Sequence, residues 1–307
     1  MRRIRPDARA PRARGFTLIE MVVAIVLTGI VVAAAAFFVY PVRQSADLAL
    51  RAELTDTADN ALQRIGREVR LALPNSVRRD GSHLLIEFVP VRSAGRYRAD
   101  SSGAACDTGT DELAFDVTDT CFKSIGPLPN ASTIVANDHV VLNNYGPGFS
   151  GQNVYETAGT NRRRVTTAVN EGPGTRERLV YTPSTAFSRT LHDSAAKRFY
   201  VVVGNATTQL PEPVTYECSP APSGGTLTRR WGYAMSSSQP TLPADFSGAS
   251  STLIASDVTA CDFDYDPNGV APQVGLLTLR LTLSRTLSGG ETESVSLYHA
   301  THVSNVP

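Results

Sequence analysis

From Met21 to Tyr40 the chain runs for twenty residues without a charged side chain. At about 1.5 Å per residue this is roughly 30 Å of helix, the thickness of a bilayer core. What precedes the run is basic. Arg2, Arg3, Arg5, Arg9, Arg12 and Arg14 stand against Asp7 alone, although the whole chain balances 29 Lys+Arg with 29 Asp+Glu. A basic flank stays in the cytoplasm and leaves the C-terminal part outside. Glu20, at the front of the apolar run, is the anomaly, because a carboxylate carried into lipid costs a few kcal/mol. An ordinary secretory signal has a shorter apolar region, ending in small residues such as Ala33 to Ala36, and has no need of Glu20. A plain membrane anchor has no need of it either.

Beyond Pro41, which should kink or loosen a helix by removing one backbone donor, the pattern becomes amphipathic. Leu50, Leu54, Ala58, Ala61, Ile65, Val69 and Ala72 follow helical spacing, with charges filling much of the rest. Pro74 marks the expected end, since the residue before a proline avoids the α region. Later residues read as β structure. Strands are expected at 82–91, 111–117, 138–145, 178–182, 198–204, 213–218, 225–235, 277–285 and 293–303. The clearest is 277–285, where Leu277, Leu279, Leu281 and Leu283 alternate with polar residues. Long loops are expected at 92–110, 144–176 and 236–251, and "TNRRRVT" (160–166) reads as a solvated charge run in one of them.

The chain has four cysteines, Cys106, Cys121, Cys218 and Cys261, all after the apolar run. An even number there fits two disulfides in an oxidising compartment. Pairing neighbours gives Cys106–Cys121 and Cys218–Cys261, one of three possible connectivities. "DYDPNG" opens like a calcium loop with Asp264, Asp266 and Asn268, but the twelfth position is Gly275 and not a carboxylate. The alternative is a strand with Phe263 and Tyr265 inward. His299 and His302 fall on opposite faces of a strand. No zinc-type cysteine spacing, phosphate loop or nucleophile elbow appears, so neither a cofactor nor enzymatic activity is expected. Beyond the leader no basic patch suggests nucleic acid as a partner.

The hexapeptide "GFTLIE" after a basic leader resembles the cleavage and methylation site of type IV prepilins and type II secretion pseudopilins. The resemblance implies a prepilin peptidase that cuts between Gly15 and Phe16, followed by N-methylation of Phe16. It implies other pilins and an inner-membrane assembly platform as partners, and a path from inner membrane to pilus. Glu20 would meet the Phe16 ammonium of a neighbouring subunit and set its register. The implied fold is pilin-like α+β: leader 1–15, transmembrane half-helix 16–40, amphipathic half-helix 41–74 and a β-rich head 75–307. "AELTDTADNALQRIGREVRLALPNSVR" (52–78), "CDFDY" (261–265) and "LYHATHVSNVP" (297–307) resemble the MshO family of MSHA-pilus biogenesis minor pilins. Residues from about 92 to 195 carry no such likeness. A J-type pseudopilin shares the plan, and a tip adhesin or DNA-uptake pilin is a third possibility.

Overall fold

The computed structural model describes residues 15–98, 113, 115, 120–170, 177–181, 187, 196–271, 273–287 and 290–307. The chain divides into two compact units, Met1–Ala52 and Glu53–Pro307. Helix α1 is assigned from Leu18 to Arg70. It runs through Pro41 without a break, contrary to the expected interruption. An interior proline removes one backbone hydrogen bond and crowds the carbonyl four residues earlier, which kinks a helix without having to end it. The helix ends at Arg70, short of Pro74. There Leu73 donates to the Val89 carbonyl at 2.8 Å and Val91 donates to that of Leu71 at 2.9 Å. This short bridge to a strand satisfies groups that another helical turn would have used.

In the second unit, Glu53–Arg70 presents the expected stripe. Leu54, Ala58, Ala61, Leu62, Ile65 and Val69 are all buried. They pack on one face of a seven-stranded antiparallel sheet. Its strands are β1 (Arg78–Arg79), β2 (Leu85–Phe88), β9 (Val214–Ser219), β10 (Gly225–Trp231), β11 (Ser250–Ala271), β12 (Val274–Thr286) and β13 (Thr292–Ser304), adjacent in that order. The four alternating leucines of β12 are fully buried against the helix. Each contributes about 1.5–3 kcal/mol by burial. Gly66 sits inside the helix about one turn before its end, where glycine costs about 1 kcal/mol relative to alanine. A Cβ there would stand 2.6 Å from His299 Nε2 on β13, so close approach of strand to helix accounts for it.

A second antiparallel sheet holds six strands: β3 (Val91–Arg96), β4 (Cys121–Lys123), β5 (His139–Val141), β6 (Arg162–Asn170), β7 (Glu177–Tyr181) and β8 (Arg198–Val202). Their spatial order is β3-β8-β5-β6-β7-β4. One face buries Tyr97, Phe122, Val140, Phe199 and Val201. The other shares a small core of Val89, Val141, Tyr155, Val202 and Met235 with the ends of the first sheet.

The layout is α+β, an apolar N-terminal helix with a mainly antiparallel β head, as the sequence indicated. Three local expectations change. The run 82–91 is not one strand: it divides at Pro90, with β2 in one sheet and β3 in the other. Proline cannot donate to a ladder, and here it marks the crossover. Strand β6 lies inside the expected loop 144–176, and β11 begins inside the expected loop 236–251. Most of the expected strand at 111–117 lies outside the described residues.

Candidate functional site

Residues 15–17 lie in no helix or strand, and Phe16 is 79% exposed. The Gly15–Phe16 bond is therefore in open backbone immediately before α1. Thr17 caps the helix: the Glu20 N–H donates to Thr17 Oγ1 at 3.3 Å and to the Thr17 carbonyl at 3.1 Å. Thr17-Leu18-Ile19-Glu20 has the spacing of a capping box, a local signal that the sequence reading passed over. The structure shows the Thr17 half of that box. Glu20 lies in the first turn, where the helix dipole favours a carboxylate by about 0.3–1 kcal/mol.

From Met21 to Phe37 the helix carries no charge, and the Thr28 hydroxyl is turned back to donate to the Ala24 carbonyl at 2.7 Å. The segment Leu18–Phe37 is long and apolar enough to cross a membrane, and none of it is buried in the chain. Val31 and Leu18 are among its most exposed side chains. Ala24, Thr28 and Gly29 line a shallow groove on this surface, the small-residue kind on which membrane helices pack closely. The arrangement offers an exposed peptide bond, a capped helix start with one carboxylate, and an uncovered apolar helix surface.

Residues 11–36 match the family model of the prokaryotic N-terminal methylation motif. The match indicates a type IV pilin-like or pseudopilin protein, of a kind that is structural rather than catalytic. It implies processing by prepilin peptidase and assembly with other pilins, and with the apolar helix it is consistent with membrane anchoring. No curated protein and no solved structure matches the chain.

Elsewhere in this pilin-like chain, Cys218 on β9 and Cys261 on β11 form a disulfide, spanning 43 positions of sequence with Cα atoms 6.5 Å apart. Cys121 is also disulfide-bonded, and its expected partner Cys106 lies outside the described residues. Asp264 pairs with Arg79 at 2.9 Å, while Asp266 Oδ1 accepts the Asn268 N–H at 2.9 Å. Among the described residues no group of three or more His, Cys, Asp or Glu is placed to hold a metal ion. His299 packs over Gly66 and His302 is exposed.

One polar cluster was not foreseen. Glu87 is fully buried on β2. Arg78 Nε meets its Oε2 at 2.5 Å, and the Tyr233 hydroxyl donates to Oε1 at 2.9 Å. The Arg78 guanidinium also lies 3.6 Å above the Tyr155 ring. Burial pushes the Glu87 carboxyl up from its ordinary range, and the charge of Arg78 pulls against that. Arg78 further donates to the carbonyls of Ser236 and Ser237. The cluster thus fixes the loop after β10 and has the character of a structural tie.

Proposed function

We propose that the chain is a minor type IV pilin of the MshO kind, which primes pilus assembly or stands at the pilus tip. In this reading residues 1–15 are a leader. Prepilin peptidase removes it between Gly15 and Phe16, and Phe16 is then N-methylated. Residues 16–40 anchor the protein in the inner membrane, with the head in the periplasm, until the assembly platform passes it into a filament. Residues 41–74 and 75–307 are the amphipathic half-helix and the head.

The observation that carries the proposal is the methylation motif directly ahead of an uncovered apolar helix. Glu20 gives that helix an assembly role. The new Phe16 ammonium of one subunit can meet the Glu20 carboxylate of another, a pairing whose value depends on close geometry. Until then the helix dipole holds the carboxylate at the membrane edge. The test is mass spectrometry of the mature N-terminus, with and without Gly15→Ala. The wild type should begin at methyl-Phe16 and the variant should keep its leader. A methyl-Phe16 terminus in the variant overturns the reading.

A further inference from the structure

A cleft of about 510 Å³ opens in the head, lined by Asn75, Arg79, Tyr145, Tyr265, Asn268 and Gln273 among others. Small-molecule sites hold about 300–1,000 Å³. The lining comes from several separate stretches of chain, and one buried side chain ties them. Asn305, 2% exposed, accepts the Asn75 N–H at its Oδ1, 3.2 Å away. Its Nδ2 donates to the Tyr265 hydroxyl at 2.8 Å and to the Pro267 carbonyl at 2.9 Å. Its own N–H donates to the Gln273 carbonyl at 2.8 Å. Asn75 Nδ2 donates in turn to the carbonyls of Asn144 and Asn305 at 2.8 and 3.0 Å. A satisfied network of this kind rigidifies the walls it joins.

The backbone is strained in the same stretches. Asn75, Asn143 and Gln273 take left-handed conformations, with φ of 58°, 44° and 65°. Such residues persist where the surroundings over-determine them, and they cluster at ligand clamps. The cleft offers no unbalanced charge. Arg79, the charged residue of the lining, pairs with Asp264 at 2.9 Å and donates to the Asp80 carbonyl at 3.2 Å. What is left for a ligand is neutral. The Tyr145 hydroxyl and the side-chain amides of Asn268 and Gln273 have no hydrogen-bond partner among the described residues. The Tyr145 ring lies 5.4 Å from that of Phe149, which is 54% exposed, so aromatic surface continues beyond the cleft.

We propose that this cleft binds a neutral saccharide, its C–H face laid on Tyr145 and its hydroxyls held by the amides of Asn268 and Gln273. A sugar ring has a flat apolar face and a rim of hydroxyls that both donate and accept. A tyrosine supplies flat apolar surface with a polar end. A side-chain amide supplies two donors and an acceptor in one plane, which suits a hydroxyl in either role. The balanced charge at Arg79 gives an acidic ligand nothing to pair with. Walls already fixed by Asn305 and Asn75 spare the cost of ordering them on binding. The site lies in the head and is independent of leader cleavage, so its failure leaves the pilin reading untouched.

The test uses the full chain in a polyoxyethylene detergent, because a sugar-headed detergent would compete. Labelled protein is applied to an array printed with neutral, sialylated and sulfated glycans, and the best-bound neutral glycan is then titrated in solution. Saturable binding to neutral glycans is expected. Asn268→Ala changes an exposed side chain and should weaken binding about threefold to tenfold. Tyr145→Ala, its folding checked by thermal unfolding, should weaken it about tenfold or more. Tyr298→Ala removes an exposed tyrosine of β13 that does not line the cleft and should leave binding unchanged. No binding to neutral glycans, binding to acidic glycans alone, full affinity in Asn268→Ala, or an equal loss in Tyr298→Ala overturns the proposal.

Discussion

Replacing His139 with glutamine should change how the stability of the head depends on pH. His139 is 3% exposed on β5, with its Nε2 at 3.2 Å from the Gln209 carbonyl. Burial first, and then the charge of Arg162, lower its pKa from 6.5 to about 4. The folded state thus holds a neutral ring, while the unfolded chain protonates near pH 6.5. Between those values the unfolded state binds more protons, so stability rises with pH. The contribution is complete above pH 6.5 and falls away as the pH drops to about 4. At about 1.4 kcal/mol per tenfold, the span is worth about 3 kcal/mol. Urea unfolding of the full chain in detergent, disulfides intact, can be read from its one tryptophan, Trp231 on β10. At pH 7 the glutamine variant should be less stable, because the fit around the ring is lost. By pH 4 that deficit should shrink by about 3 kcal/mol and vanish or reverse, while carboxylates such as Asp80 and Asp138 titrate equally in both proteins. If the gap stays constant from pH 7 to pH 4, His139 is not the buried neutral group described here.

Glu20→Val should still be cleaved and methylated but should enter filaments poorly, scored as the variant's share of sheared pili; normal incorporation removes the register role. Removing the Cys218–Cys261 bridge with alanines should lower stability by about 4 kcal/mol for a loop of this length, read as a lower urea midpoint with a steeper slope, because the unfolded chain without the bridge is less compact. In Gly204→Ala the added Cβ would collide with the Asn137 carbonyl oxygen; neither backbone can yield cheaply, so a loss of about 3 kcal/mol is expected in the same assay.

The parts legible in the sequence are those whose signal is local and periodic. The leucines of β12 alternate because one face meets the helix, and the stripe from Leu54 to Val69 repeats because the other partner is that sheet. The methylation motif was legible because it is local too: Gly15 to Glu20 are consecutive residues. Strand β6 was not, because three arginines at its head argue for solvent. The carbonyls of Val154, Thr157 and Thr160 are among the acceptors that make the burial of Arg162 and Arg163 possible. Nor could the tie among Arg78, Glu87, Tyr155 and Tyr233 be seen, since nothing local joins those positions. The division at Pro90 was hidden inside what reads as one continuous strand. Its meaning depends on β2 pairing with β9, more than a hundred residues later.

That pairing has a consequence for how such a head can diversify. Strand β2 delivers the chain to the second sheet, and β9 receives it back, yet the two are hydrogen-bonded neighbours, with Phe88 opposite Val214. Everything from Val91 to Val202 is therefore a cassette, spliced into the first sheet where a tight hairpin would have served. The stretch from about 92 to 195, which resembles nothing familiar, coincides with it. Such a cassette can lengthen, shrink or be exchanged without shifting the register of the seven strands that cover the helix. Natural variation among related heads should concentrate there, and so should whatever distinguishes one subunit's task from another's.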